Sequence, residues 1–171
     1  AGRSARRNAG NPQPEERRHN CLDHAPMTVQ LPDLAAMEAF GRKIAGKIEP
    51  GDVVALSGTL GTGKTTLARA IIAALGYEGE VPSPTYTIIE TYDGLRVPLV
   101  HADFYRLNHP SEVEELGLDD YRDGAVLIAE WPDHAGGFAH EAGCLSIALE
   151  KVGEGREAVV TSGASWQSRW P

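Results

Sequence analysis

The sequence is poor in cysteine and has no long apolar run, and each absence excludes a class of protein. Two cysteines, Cys21 and Cys144, are too few for the disulfide framework of a small secreted domain. No apolar run approaches the roughly 18 residues of a membrane-spanning helix. The first twenty residues lack the apolar segment of a signal peptide. We therefore expect a reduced, cytoplasmic protein that does not enter a membrane.

Basic residues are also scarce over most of the chain. Lys and Arg number 16 against 24 Asp and Glu, which gives a formal net charge of -8. Binding of nucleic acid depends on clustered cations that neutralise phosphates, so this balance disfavours a protein that binds nucleic acid by itself. The exception is an arginine-rich N-terminal stretch that contains Arg3, Arg6, Arg7, Arg17 and Arg18.

The ends of the chain differ from its middle. Residues 1–26 have no hydrophobic period, so we expect a disordered basic tail there. His19, Cys21 and His24 lie close together in that tail, but no second ligand group completes a zinc site. We assign residues 27–162 to one domain and residues 163–171 to a C-terminal tail.

The hydrophobic pattern of the middle part predicts alternating helices and strands. Asp33 is a candidate N-cap for a helix, and a second helix is expected from Lys64 to Leu75, closed by Gly76. A capping box at Ser111 predicts a short helix toward Leu118. Strands are expected over 53–57, 85–92, 95–101 and 125–129. Asp93-Gly94 predicts a hairpin between the second and third of these strands, and a closing hairpin is expected over 144–150 and 157–161. This order indicates an α/β fold, a P-loop NTPase three-layer sandwich with a mixed, mainly parallel sheet.

A phosphate-binding loop stands between the strand at 53–57 and the helix at 64–75. Its pattern G-x-x-x-x-G-K-[ST] occupies Gly58 to Thr65. Glycines allow the backbone to wrap a phosphate with its N–H groups inward, Lys64 reaches the β- and γ-phosphates, and the Thr65 hydroxyl faces Mg²⁺. The predicted nucleotide-binding residues are Gly58, Thr59, Leu60, Gly61, Thr62, Gly63, Lys64, Thr65, Thr66 and Trp131. Trp131 lies outside the loop, beside Glu130, and either stacks on the base or, as tryptophans more often do, simply packs.

A Mg²⁺-bound triphosphate also needs an acidic residue at the end of a nearby strand. Asp103 and Glu130 each follow a buried-looking strand, and either can serve Mg²⁺ or be an ordinary solvated carboxylate. Thr85 stands where a switch threonine would reach Mg²⁺, or is simply a strand residue. His101 is interpreted as a structural strand-end histidine. No Asn/Thr-Lys-x-Asp motif is present, so GTP is disfavoured.

Together the motifs GTLGTGKTTL, SPTYTIIETY, HADFYRL, ELGLDDY and LIAEWPD resemble the TsaE (YjeE-type) family, from about residue 28 to about residue 161. The resemblance implies a slow, Mg²⁺-dependent ATPase that acts with a TsaD–TsaB complex in the threonylcarbamoyladenosine modification of tRNA. It implies catalytic roles for Lys64, Thr85, Asp103 and Glu130, and metal contacts for Thr65, Asp103 and Glu130. It also places Trp131 next to the nucleotide.

The chain departs from the family pattern at Thr59, where relatives usually carry an acidic residue. Two other readings of the loop stay open. A small-molecule P-loop kinase would need an arginine-bearing lid, for which the mostly acidic stretch 107–123 offers Arg122. A nucleotide-sensing module would bind without turnover.

Overall fold

A computed structural model describes residues 25–171 and contains one strand, Met27–Leu31, that was not predicted from the sequence. The bounds of its strands and helices are β1 Met27–Leu31, α1 Leu34–Ala45, β2 Val53–Ser57, α2 Lys64–Ala74, β3 Ile89–Tyr92, β4 Leu99–Asp103, α3 Glu112–Leu116, α4 Leu118–Arg122, β5 Val126–Glu130, β6 Cys144–Val152 and β7 Gly155–Ser162. Short 3₁₀ helices cover Pro132–Ala135 and Ala164–Trp166. The tail predicted over residues 1–26 lies, except for Ala25 and Pro26, outside the described residues, as does the group of His19, Cys21 and His24.

All strands of this part of the chain belong to one seven-stranded sheet in the order β1-β7-β6-β2-β5-β4-β3. The central strands β6, β2, β5 and β4 are parallel, whereas β3 and β7 run antiparallel to their neighbours. β1 is antiparallel to β7 and therefore shares the direction of the central set. The α/β class and the mixed, mainly parallel sheet are thus confirmed.

Helices and loops cover both faces of the sheet, which gives three layers. On one face α1 and α2 bury residues such as Ile44 and Ile71 against Leu56 of β2. On the other face Phe104 and Leu118 pack over β4 and β5. The parallel strands β4 and β5 are buried over their whole length, and β2 is buried except at Ser57, as expected for a sheet covered on both sides. Within residues 25–171 no helix combines the length and apolar character needed to cross a bilayer.

The first predicted strand of the 85–101 hairpin is shorter than expected. Residues 84–87 form a turn, closed by a 2.7 Å hydrogen bond from the Ile88 amide to the Pro84 carbonyl. Ile88 has a φ of 68°, a conformation that a β-branched residue rarely adopts. The turn takes Thr85 out of the sheet, so β3 begins at Ile89.

The Asp93-Gly94 hairpin is present but wider than a two-residue turn. Tyr92 pairs with Leu99, so residues 93–98 all lie in the connection. Pro98 has no N–H for the ladder, and its carbonyl accepts from Val126 in β5 instead. The expected closing hairpin is present, but each strand extends two residues further toward the turn, so that Val152 pairs with Gly155.

The predicted capping box does not form. Ser111 has helical dihedrals, φ -62° and ψ -21°, and its side chain caps no amide. The helix is broken at Gly117, whose φ of 69° is left-handed, and a second short helix follows.

The assignment of residues 163–171 to a tail outside the domain is wrong. Trp166 is fully buried and its indole N–H donates to the Gly143 carbonyl at 2.8 Å. Trp170 packs edge-on against Phe40 of α1. Two large indoles bury enough apolar surface to hold this segment on the core.

Candidate functional site

The glycine-rich loop connects β2 to α2 through backbone conformations that favour glycine. Gly58, Gly61 and Gly63 have φ of 136°, 75° and 101°. A Cβ on Gly58 would come within 2.4 Å of the Leu149 carbonyl oxygen and 2.8 Å of Thr62 Oγ1. The loop leads directly into α2, whose first-turn amides have no carbonyl one turn earlier to bind. A backbone of this kind is suited to binding an anion, the role expected of this loop from the sequence.

Lys64 begins α2 and turns back over the loop. Its Nζ donates to the Gly58 and Thr59 carbonyls at 2.8 Å each. Burial lowers the pKa of this ammonium below its ordinary value, and the carboxylates of Glu130 and Asp103 partly counteract that. A cation held by loop carbonyls and facing two carboxylates is suited to a polyphosphate ligand.

Asp103 and Glu130 are neighbours at the carboxyl ends of β4 and β5, because the parallel register pairs them directly. Glu130 is almost fully buried and accepts from Thr65 Oγ1 at 2.7 Å. Asp103 accepts from Thr85 Oγ1 at 3.1 Å and from the Tyr105 amide at 2.9 Å. The turn that removed Thr85 from the sheet has therefore brought it to the carboxylate pair.

Trp131 follows Glu130 in a left-handed conformation, with φ 54°. Its amide donates to the Leu56 carbonyl at 3.2 Å, and this bond holds Trp131 beside the end of β2. The indole ring lies 4.6 Å from Lys64 Nζ and 4.9 Å from the Tyr105 ring. The tryptophan therefore borders the lysine end of the site; a contact with a nucleotide base stays a prediction.

Ten of the predicted site residues line one cleft of about 290 Å³. The three that do not are Gly58, Thr59 and Thr62. Gly58 and Thr59 support the loop through the carbonyls that Lys64 binds, and the Thr62 hydroxyl also donates to the Thr59 carbonyl, at 2.9 Å. The side chain of Thr59, the irregular position of the family pattern, is exposed.

Two residues of this site were not predicted from the sequence. His101 is fully buried and donates through Nε2 to Glu130 at 2.7 Å, so it is part of the site and not merely the end of a strand. Its position two residues before Asp103 puts both on one face of β4, and that alternation was the available signal. Arg156 of β7 binds the Gly61 and Thr62 carbonyls, and no local pattern indicates this contact.

The donor set fits a magnesium–triphosphate ligand. Mg²⁺ takes one or two carboxylates and completes its coordination with phosphate oxygens and water. The Thr65 hydroxyl with Glu130 and Asp103 supplies that kind of set. Among residues 25–171 there is no group of three or more His, Cys, Asp or Glu side chains that could hold a metal ion.

Comparison with known proteins assigns the family. The model of the family described as "Threonylcarbamoyl adenosine biosynthesis protein TsaE" matches residues 31–158. The chain belongs to the TsaE family. That span contains every residue of the cleft, from the phosphate loop to Arg156.

Individual TsaE proteins match over most of the domain. The chain is 38% identical over 125 residues to the tRNA threonylcarbamoyladenosine biosynthesis protein TsaE of Haemophilus influenzae, covering 70% of this chain and 79% of that one. The TsaE of Synechocystis sp. is 38% identical over 117 residues, 66% of this chain and 74% of its own. The crystal structure of Bacillus subtilis YdiB superposes with a TM-score of 0.69 at 28% identity, covering 85% of this chain and 93% of that one. The architecture is shared with a solved protein.

Proposed function

We propose that this protein binds ATP with Mg²⁺ and hydrolyses it slowly in support of a TsaD–TsaB complex in the cytoplasm, in threonylcarbamoyladenosine modification of tRNA. The observation that carries the proposal is the convergence of Lys64, Thr65, Asp103 and Glu130 at one cleft beside the phosphate loop. The partners are inferred from family membership, because the relatives carry the name of that pathway. The role of tRNA is indirect, in keeping with the acidic net charge.

Each side chain of the cleft has a role in nucleotide binding that follows from its chemistry. The loop amides and Lys64 bind the β- and γ-phosphates, and Thr66 follows at the α-phosphate. Thr65 with Asp103 and Glu130 would hold Mg²⁺, which neutralises phosphate charge when bound. Thr85, on the turn before β3, senses the γ-phosphate side of the site.

Glu130 is placed to order water for hydrolysis. Both of its oxygens already have partners, Thr65 on one side and His101 on the other, so the carboxylate has one fixed orientation. A carboxylate that is held in one orientation orders an attacking water at little entropic cost.

A small-molecule kinase is the second candidate, and one observation weakens it. Arg122, the only arginine within α3 and α4 of the described chain, is paired with Glu141 by two bonds of 2.5 and 3.1 Å. A guanidinium held in this way does not serve as a mobile lid over a phosphate donor.

The proposal is tested by ATP turnover and ATP binding of the purified protein, with and without TsaD–TsaB and tRNA. We expect turnover that depends on the partners. Lys64→Ala removes charge-assisted bonds to phosphate and should weaken MgATP binding by at least about tenfold. Lys47→Ala, at an exposed lysine remote from the cleft, is the matched control. ATP turnover that is the same with and without TsaD–TsaB, but rises when a small phosphate acceptor is added, would overturn the proposal in favour of the kinase.

A further inference from the structure

We propose that Arg156 is a positioning residue for the phosphate loop: its guanidinium holds two loop peptides so that their N–H groups face a bound phosphate. The inference deepens the proposed function and rests on it, because it concerns how the same site binds a nucleotide. Arg156 lies outside the sequence motifs that resemble the family, the last of which ends at Asp133.

Three hydrogen bonds define the contact. Arg156 Nε donates to the Thr62 carbonyl at 3.0 Å, and a terminal nitrogen of the same guanidinium donates to the Gly61 carbonyl at 3.1 Å. The other terminal nitrogen donates to the Gly155 carbonyl at 3.0 Å, on the arginine's own strand. One terminal nitrogen of the planar guanidinium is thus held by the arginine's own strand, while the other two nitrogens bind the carbonyls of two consecutive peptides.

Because a peptide is planar, a bond that fixes the direction of its carbonyl also fixes the direction of its N–H group. In a trans peptide the C=O and the following N–H point in opposite directions. Holding the Gly61 carbonyl toward Arg156 directs the Thr62 N–H away from it, and holding the Thr62 carbonyl does the same for the Gly63 N–H. These two amides continue the row of free amides at the start of α2.

The loop needs such a restraint because the bonds made by its own residues, from Thr62 and Lys64, go to the Gly58 and Thr59 carbonyls and not to those of Gly61 and Thr62. Thr62 lies between two glycines with positive φ, 75° at Gly61 and 101° at Gly63. Glycine visits both signs of φ with little preference, so the peptides on either side of Thr62 can rotate. An external donor that fixes their planes lowers the entropy lost when phosphate binds.

The sheet brings the arginine to the loop. In β7, Arg156 pairs with Leu31 of β1 and with Lys151 of β6. Gly155 lets the chain pass close to Pro32, since a Cβ there would lie 2.9 Å from the proline Cα. Arg156 lines the cleft together with Gly61, one of the two loop residues that it binds.

Charge alone is the competing explanation, because any cation at the rim attracts phosphate. Arg156→Lys separates the two. Lysine keeps the charge but has a single ammonium that cannot make the forked contact to two carbonyls. Positioning therefore predicts that Arg156→Lys loses most of the affinity that Arg156→Gln loses.

The experiment is a fluorescence titration of the full chain with a fluorescent ATP analogue and Mg²⁺, accompanied by urea unfolding of each variant. We expect Arg156→Gln and Arg156→Lys each to weaken binding by at least about tenfold, as for the loss of charge-assisted hydrogen bonds. Arg96→Gln is the matched control, since Arg96 also donates to a backbone carbonyl, that of Ala45, away from the cleft. Millimolar guanidinium should partly restore binding by Arg156→Ala and leave the wild type unchanged.

The outcomes separate the inference from the proposed function. Wild-type affinity in Arg156→Gln, or in Arg156→Lys, would overturn the inference alone. Loss of affinity that guanidinium does not restore and that accompanies a lower urea midpoint would reduce Arg156 to a structural tie and overturn it as well. A wild-type protein that binds no nucleotide would overturn the proposed function itself.

Discussion

At the scale of single residues, Glu130 connects the phosphate loop, the strand ends and the buried histidine. We expect Glu130→Gln to bind MgATP within a few-fold of wild type, because Gln keeps the size and one acceptor oxygen. Turnover should fall by roughly a hundredfold or more, the usual cost of losing a group that handles the proton of the reacting water. Equal turnover, measured beside Glu78→Gln at an exposed site, would remove Glu130 from the catalytic residues.

Gly58 is the loop residue least able to accept a side chain. In Gly58→Ala the new Cβ meets the Leu149 carbonyl at 2.4 Å, so either the loop or β6 has to shift. We expect lost nucleotide binding and a free energy of unfolding lowered by about 2 kcal/mol or more. Gly76→Ala isolates the backbone contribution, because Gly76 has a similar φ of 111° but open space around it. If both variants bind ATP equally well, the close approach at Gly58 is unimportant.

The residues of the site differ in how far the sequence revealed them. Lys64 and Thr65 follow from a motif whose spacing is dictated by phosphate geometry, and Asp103 and Glu130 from their positions after apolar runs. His101 was assigned only a structural role, because a lone histidine gives no indication of its partner. Arg156 was missed, since its contact with Gly61 spans 95 residues.

At the scale of elements, the contact between α1 and α2 depends on Gly41. A Cβ there would lie 2.5 Å from the Ala70 Cβ, closer than two carbons can pack. Gly41→Ala gains helix propensity of roughly 1 kcal/mol but forces the helices apart, so we expect a net lower urea midpoint.

Gly46→Ala is the control for that prediction. Gly46 ends the same helix with an ordinary right-handed φ of -69°, and an added Cβ makes only a 3.5 Å contact with Arg42. It should be neutral or stabilise the fold by about 0.5 kcal/mol. A stabilised Gly41→Ala would show that the two helices can separate without cost.

The turn before β3 shows where strand propensity failed. Residues 85–88 are rich in Thr, Tyr and Ile, which favour a strand, yet they form a turn with a left-handed Ile88. The turn places Thr85 on Asp103, so a tertiary contact outweighs the local preference. Strained residues of this kind are found at switch segments and binding sites.

At the scale of the whole molecule, the last residues of the chain complete the core. Trp166 is fully buried, so Trp166→Ala should lower the free energy of unfolding by about 3–5 kcal/mol. Trp166→Phe keeps most of the apolar contact and loses the bond to Gly143, for an expected cost of about 1 kcal/mol. Thermal or urea unfolding measures both. If Trp166→Ala were as stable as the wild type, residues 163–171 would be a tail outside the domain, as the sequence suggested.

The sequence by itself determined the class of the fold, the phosphate loop and the family resemblance. These depend on local order along the chain: apolar periodicity sets strands and helices, and a phosphate dictates the spacing of glycines and lysine. The tertiary structure alone decided that residues 163–171 join the core, that His101 binds Glu130 and that Arg156 holds the loop. Each of these is a contact between residues distant in sequence, and its energy depends on burial and direction, which only the packed sheet defines.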